Sequence, residues 1–194
     1  MKRRVALVLL AAGQSLRFGS DKLLHEIDGV PMLSRMLRLY ADAPLDAVFA
    51  SRTVVLARER AAFAKEAEAL GWRVVCNERP EAGQSLSVRL GTLDALQNNP
   101  DGILFSVADQ PHLCANTVLR LLEVFDASPD RIVAPIANGR RGNPVLFPSI
   151  YGAELCALTG DVGGSPVIRR HIDRLLTVET DARELTDMDR KTEG

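Results

Sequence analysis

Apolar runs the length of a strand alternate with longer segments of helical period along nearly the whole chain. That alternation limits the fold more than any other feature. Val5 to Leu10 reads as a first strand, and a Gly/Ser/Arg-rich loop runs from Ala11 to about Lys22. Pro31 opens a helical pattern to about Tyr40, proline being tolerated in a first helical turn. Thr53 to Ala57 is a second strand, Arg58 to Leu70 a helix stopped by Gly71, and Trp72 to Cys76 a third strand. Ser85 to about Gln97 is a helix, Ile103 to Val107 a fourth strand, and Asn116 is placed to cap a helix through Phe125. Arg131 to Ala137 and Pro144 to Phe147 read as strands around a turn at Asn138-Gly139, a hairpin or antiparallel excursion. A helix near Ser149 to Leu158, a loop at Gly160 to Gly164, a helix from Pro166 and a strand at Leu175 to Val178 follow. This order implies a mostly parallel sheet with helices on both faces. Ligands of such sheets bind beyond the carboxyl ends of the strands. The loops after Leu10, Cys76 and Val107 are therefore where chemistry is expected.

Composition narrows the partners. At 194 residues the chain is expected to form a single domain over 1–194. Its net charge of −1 provides no basic field, which argues against nucleic acid and against an anionic membrane as partners. With six Phe, two Tyr and one Trp, the core has to be aliphatic. Cys76, Cys114 and Cys156 are odd in number and form no CxxC pair, which argues against a disulfide framework or structural zinc. They read as three small buried hydrophobes in a reducing cytoplasm. Lys2-Arg3-Arg4 before the first apolar run has the look of a secretory signal. The run is eight residues with no A-x-A site after it, and a buried strand explains it equally well.

The stretch Leu10-Ala11-Ala12-Gly13-Gln14-Ser15-Leu16-Arg17-Phe18-Gly19-Ser20-Asp21-Lys22 is the most informative. It is neither a P-loop nor a G-x-G-x-x-G fingerprint. Ala11, Ala12 and Gly13 let backbone approach a ligand, and successive N–H groups can cradle an anion. Arg17 adds a planar fork for phosphate oxygens and Lys22 a point charge. Two cations on one loop suit a triphosphate, although a solvated surface turn accounts for the composition alone. After the third strand, Gly83 permits close approach and Ser85 reads as an N-cap. Asp109, in Ser106-Val107-Ala108-Asp109-Gln110-Pro111, sits right after a buried strand. It is either a helix cap or, against a triphosphate, a hard oxygen ligand for Mg²⁺.

The first loop resembles the L-A-A-G-x-S-x-R-x-G-x-x-K signature of the MobA-like nucleotidyltransferases, closest to the molybdenum cofactor cytidylyltransferases. The resemblance runs from Leu7 to Asp189. It implies a three-layer α/β/α, Rossmann-like nucleotide-diphospho-sugar transferase fold, mostly parallel with a small antiparallel excursion. It also implies a cytoplasmic, Mg²⁺-dependent enzyme that moves CMP from CTP to the phosphate of a small acceptor, molybdopterin, and releases pyrophosphate. A recipient molybdoenzyme is a further partner left open. By the resemblance, Leu10, Ala11, Ala12, Gly13, Ser15, Arg17, Lys22, Gly83, Ser85, Ser87 and Ala108 hold the nucleotide. Arg17, Lys22 and Asp109 are catalytic, and Asp109 holds the metal. Glu184-Leu185-Thr186-Asp187-Met188-Asp189 resembles the family's D-x-D element, with Asp189 the preferred second ligand and Asp187 behind it; a plain acidic tail is the alternative.

On the acceptor side, Gly142-Asn143-Pro144-Val145-Leu146-Phe147 resembles G-x-P-V-x-F, and Gly160-Asp161-Val162-Gly163-Gly164 resembles G-D-x-G. These imply acceptor contacts at Gly142, Asn143, Pro144, Asp161 and Gly163. The family's G-D-x-G-A-R continues here as Gly164-Ser165, so an Arg is missing; Arg169 or Arg170 stands one turn on, and Arg140 and Arg141 are further candidates for an acceptor phosphate. The related guanylyltransferases resemble L-A-G-G at the first loop. The extra methyl of Ala12 shrinks a base pocket and favours a pyrimidine. His25, His112 and His171 have no metal-ligand spacing, and only His112 is expected near the site. Alternative readings are a methylerythritol-phosphate or sugar-phosphate nucleotidyltransferase, or a non-catalytic nucleotide or cofactor carrier that needs neither carboxylate.

Overall fold

The computed structural model describes residues 2–13 and 21–188. The first apolar run becomes strand β1, Val5–Ala11, and its alternation sets the layers. Val5, Leu7, Leu9 and Ala11 enter one core cluster, while Ala6 and Val8 enter a second on the opposite face. Parallel partners flank β1 on both sides: β4, Ser51–Ala57, and β6, Gly102–Val107. A strand so enclosed is apolar on both faces, which is why its sequence is an unbroken run.

The first face is covered by α1 (Met32–Ala41), α2 (Ala64–Ala69) and α4 (Ala115–Ala127), through residues such as Leu37, Ala67 and Phe125. The second is covered by α3 (Gln84–Leu96), α5 (Gly152–Cys156) and α6 (Ser165–Arg170), through Val88, Leu155 and Ile168. Gly91 lets α3 lie close on the sheet, since a Cβ there would overlap Val8 Cγ1. Adding β5 (Arg73–Asn77), β7 (Ile132–Ala137), β9 (Val145–Pro148) and β10 (Leu175–Glu179), the sheet order is β10-β7-β9-β6-β1-β4-β5. This is a three-layer, Rossmann-like α/β/α arrangement with a mostly parallel sheet. The chain leaves β1 toward β4 and β5 and returns on its other side as β6, so a crevice opens at the carboxyl ends of β1 and β6.

Several local expectations are corrected. The Asn138-Gly139 turn forms, both residues having positive φ, but it pairs β7 with the two-residue strand β8, Arg140–Arg141. The expected antiparallel excursion is present as well: β9 pairs antiparallel with β7 and, on its other side, with β6. A second small hairpin, β2 (Glu26–Ile27) with β3 (Val30–Pro31), turns at Asp28-Gly29 and was not foreseen. The helix expected over 58–70 is broken: a 3₁₀ segment, Arg58–Phe63, precedes α2, and Arg60 departs from helical φ/ψ as its side chain turns inward. Neither Ser85 nor Asn116 caps a helix. Gly83 and Cys114 occupy the cap positions, without side-chain cap bonds. The cysteines are free, but Cys76 and Cys114 are exposed and Cys156 half-buried, not buried; Cys76 lies on the edge strand β5.

Candidate active site

The crevice holds a cleft of about 360 Å³, of the size that takes a small ligand. Three segments line it: Leu10 and Ala11 ending β1, with Ala12 and Gly13 after it; Pro80, Glu81, Gly83, Gln84 and Ser87 around the start of α3; and Val107 ending β6, with Ala108 and Asp109 after it. Lys22 and Asp161 complete it. The loops after β1 and β6 are tied together, Ala108 N–H donating to the Leu10 carbonyl at 3.1 Å.

Lys22 reaches the cleft because Lys22–Leu24 forms one 3₁₀ turn, anchored by buried Leu23 and capped by Asp21, whose carboxylate accepts from Leu23 N–H at 3.1 Å. Its Nζ donates to Asp109 Oδ2 at 2.5 Å, and both side chains are about four-fifths buried.

At the start of α3, Gly83 has φ +94° and ψ 171°, a conformation essentially reserved for glycine. A Cβ there would lie 2.5 Å from the Gly160 carbonyl oxygen. The close approach serves a purpose: Ser85 N–H donates to Gly160 O at 3.3 Å, and Gln84 N–H donates to Asp161 Oδ1 at 3.2 Å. Asp161 thus lines the larger cleft and engages the helix terminus, where a carboxylate is favoured. Ser87 lines the cleft and accepts from Asn77 Nδ2 at 2.9 Å, while Ser85 is buried and does not.

A smaller cavity of about 160 Å³ adjoins the cleft, sharing Leu10, Gln84 and Val107 with it. Arg141, Gly142, Asn143 and Gly163 line it, whereas Pro144 is buried behind them and Arg140 is exposed on the turn. Burial, and then the charge of Arg169, push the Arg141 guanidinium below its usual pKa; Arg141 lines this cavity, whereas Arg169 is exposed on α6 and does not.

His112 is not at the site. It lines a separate groove of about 550 Å³ with Arg35, Cys114, Arg183 and Glu184, where burial, then Arg183 and Arg35, lower its pKa. His171 Nε2 is paired with Glu154 at 2.7 Å. Asp187 is brought toward Asp109 without lining the cleft: Met188 N–H donates to Asp109 O at 3.0 Å, and Gln110 Nε2 donates to Asp187 Oδ1 at 2.9 Å. Ser15, Arg17 and Asp189 lie outside the described residues.

Two residues went unnoticed in the sequence. Gln110 is 2% exposed and fastens the 185–187 segment beside Asp109. Arg60 is 5% exposed and binds Asp21 and the backbone after β1. Arg60 lies in Arg58-Glu59-Arg60, which reads as a solvated helix face. Gln110 carried a weak signal, its position directly after Asp109.

Sheet and crevice define a three-layer, Rossmann-like α/β protein with a charged pair at its topological switch point. The chain belongs to the MobA-like NTP transferase domain family, whose sequence model matches residues 7–175. It is similar to the bifunctional enzyme IspD/IspF of Paramagnetospirillum magneticum, 32% identical over 142 residues, covering 71% of this chain and 35% of that protein. This chain therefore spans only about a third of that relative. It is also similar to the purine catabolism protein PucB of Bacillus subtilis, 28% identical over 165 residues, covering 84% of this chain and 79% of that one. Among solved structures, Rv0371c of Mycobacterium tuberculosis superposes with a TM-score of 0.79 at 27% identity, covering 98% and 95% of the two chains. The same protein was also solved with manganese (TM-score 0.69, 25% identity, 92% and 90% coverage). Among the described residues, no helix is long and apolar enough to cross a membrane.

Proposed function

We propose that this protein is a cytoplasmic, single-domain cytidylyltransferase that transfers CMP from CTP to the phosphate of a small acceptor, molybdopterin, and releases pyrophosphate. The observation that carries the reading is the Lys22–Asp109 pair in a cleft between the carboxyl ends of β1 and β6. The two groups neutralise each other, yet each matches a different part of a metal-bound triphosphate. Lys22 suits phosphate oxygens, and Asp109 suits a hard divalent cation.

A divalent cation fits the donor chemistry. Among the described residues no three His, Cys, Asp or Glu side chains could hold a metal ion together. Mg²⁺ commonly takes one or two carboxylates and completes its shell with substrate phosphates and water. Asp109 would hold it, with Asp189 as the second ligand, or Asp187, which Gln110 fastens beside Asp109. The manganese in the mycobacterial structure supports a divalent ion in this family's fold. When bound, the ion neutralises phosphate charge and orients the phosphates. The chain's own part is positional and electrostatic. Lys22 turns from Asp109 to the phosphates and, with Arg17, offsets negative charge moving onto the leaving pyrophosphate. Leu10, Ala11, Ala12, Gly13, Gly83, Ser87 and Ala108 shape the nucleotide's bed, and the buried methyl of Ala12 narrows it in favour of a pyrimidine. Arg141, Gly142, Asn143 and Gly163 receive the acceptor phosphate, holding it for in-line attack on the α-phosphorus.

The test is pyrophosphate release with Mg²⁺, crossing CTP, GTP and ATP with molybdopterin, with and without bound molybdenum, and with methylerythritol phosphate. Release with CTP and the pterin alone is the expected result. Activity with methylerythritol phosphate instead moves the acceptor and keeps the chemistry. Tight CTP binding without release in any combination identifies a carrier, and a recipient molybdoenzyme then becomes the partner to seek.

A further inference from the structure

Arg60 makes four hydrogen bonds from a nearly buried guanidinium, and they join the two ends of the segment that carries the nucleotide signature. Nε and Nη2 grip Asp21 Oδ2 and Oδ1 at 2.6 and 2.7 Å, a two-pronged pairing that fixes orientation as well as distance. Nη1 donates to the Ala11 carbonyl at 2.5 Å, and Nη2 also donates to the Gly13 carbonyl at 2.9 Å. Ala11 and Gly13 stand near the start of the signature stretch and Asp21 near its end. One side chain from a distant element therefore sets both.

The two arms have different consequences. A carbonyl and the following N–H lie on opposite edges of one trans peptide plane. With the Ala11 carbonyl drawn to Arg60, the Ala12 N–H faces the other way, and Ala12 lines the cleft. Each carbonyl so held turns a peptide dipole with its positive end away from Arg60. The Asp21 arm works through the cap: Asp21 also accepts from Leu23 N–H, which holds the turn that places Lys22 on Asp109. Burying a guanidinium is costly unless it is fully engaged, so this arrangement demands a reason.

We infer that Arg60 is a positioning residue for the nucleotide polyphosphate: it turns the backbone after β1 so that N–H groups face the phosphates, and through Asp21 it aims Lys22. The inference rests on the nucleotide reading of the cleft. A residue of merely structural value would change how much protein folds, not how tightly the folded protein binds.

Calorimetric titration of Mg²⁺·CTP separates these, because misfolded protein lowers the stoichiometry while mispositioning raises Kd. Arg60→Met is expected to raise Kd at least tenfold with stoichiometry near that of wild type. Arg60→Lys keeps the charge without the fork and is expected to rescue little of the loss. Asp21→Asn, altering the less buried partner, is expected to raise Kd severalfold, and it decides the matter should Arg60→Met fail to fold. Unchanged Kd in the folded variants overturns the inference and leaves the nucleotide reading standing. Wild-type protein that binds none of CTP, GTP, ATP and UTP overturns both.

Discussion

Replacing Gly83 with alanine tests whether the close approach of α3 to the Gly160–Asp161 loop is built into the backbone. Two penalties add. Holding alanine at φ +94°, ψ 171° costs about 1–3 kcal/mol, because that region is nearly closed to residues with a Cβ. The new Cβ would also meet the Gly160 oxygen at 2.5 Å, the Gly160 carbon at 2.6 Å and the Asp161 nitrogen at 2.7 Å. All three are main-chain atoms that cannot swing aside, and overpacking of this kind costs about 1–3 kcal/mol more. Restricting the unfolded chain returns about 0.4–1 kcal/mol. The expected loss is therefore about 1–5.5 kcal/mol, read from urea melts followed by circular dichroism. Gly139→Ala is the internal control: φ there is +73°, but nothing lies within 4 Å of the added Cβ, so only the backbone penalty applies. Stabilities of the two variants agreeing within about 0.5 kcal/mol would refute the argument that the contact, and not the dihedral alone, demands glycine. Folded Gly83→Ala protein is also expected to bind Mg²⁺·CTP more weakly, since the shift moves Asp161 within the cleft.

Three further outcomes are expected. Asp109→Ala should abolish pyrophosphate release while the far-UV spectrum is retained; an active variant would sink the proposed chemistry. Tyr40→Phe removes a buried hydroxyl that donates to Ser106 Oγ at 2.7 Å, and leaving Ser106 without that partner should cost about 1–3 kcal/mol in urea melts. Burial alone would raise the Glu154 carboxyl, but hydrogen bonds from His171 and Arg170 outweigh it and hold its pKa below the usual 4.5. Its contribution is thus complete above about pH 4.5 and lost as the pH falls through the folded value. The stability gap between wild type and Glu154→Gln should therefore narrow on acidification. A gap that widens would mean the pairing does not favour the ionised carboxylate.

The parallel half of the sheet was legible because each of its strands records its own surroundings. A strand such as β1, enclosed by β4 and β6 and covered on both faces, has to be apolar at every position, and that is visible without tertiary information. The antiparallel excursion was legible only in kind. Asn138-Gly139 signalled a turn, but the residues after it could not say whether the next strand would pair across that turn or cross to another neighbour. The pairing of β9 with β6 is fixed by contacts such as Phe105↔Val145 and Leu104↔Leu146, which lie about forty residues apart in the sequence. The helix break at Arg60 was invisible for a related reason. Helical propensity describes the local chain, and the interaction that overrode it lies on β1 and Asp21.

The same division holds at the cleft. Gly83 and Asp109 were readable because their residue types are constrained where they stand, one by backbone conformation and the other by its place at a strand's carboxyl end. Arg60 and Gln110 were missed, and the bond of Asp161 to the start of α3 was not visible, since each works by satisfying groups supplied by another loop. Arg60 holds the end of β1 and Asp21, Gln110 holds the 185–187 segment, and Asp161 holds the first N–H of α3. Each of these side chains hydrogen-bonds a loop other than its own and so helps fix that loop's shape from outside. A signature written from the residues nearest a ligand therefore omits the supports that give those residues their geometry. Those supports are where variants of this protein should separate binding from folding.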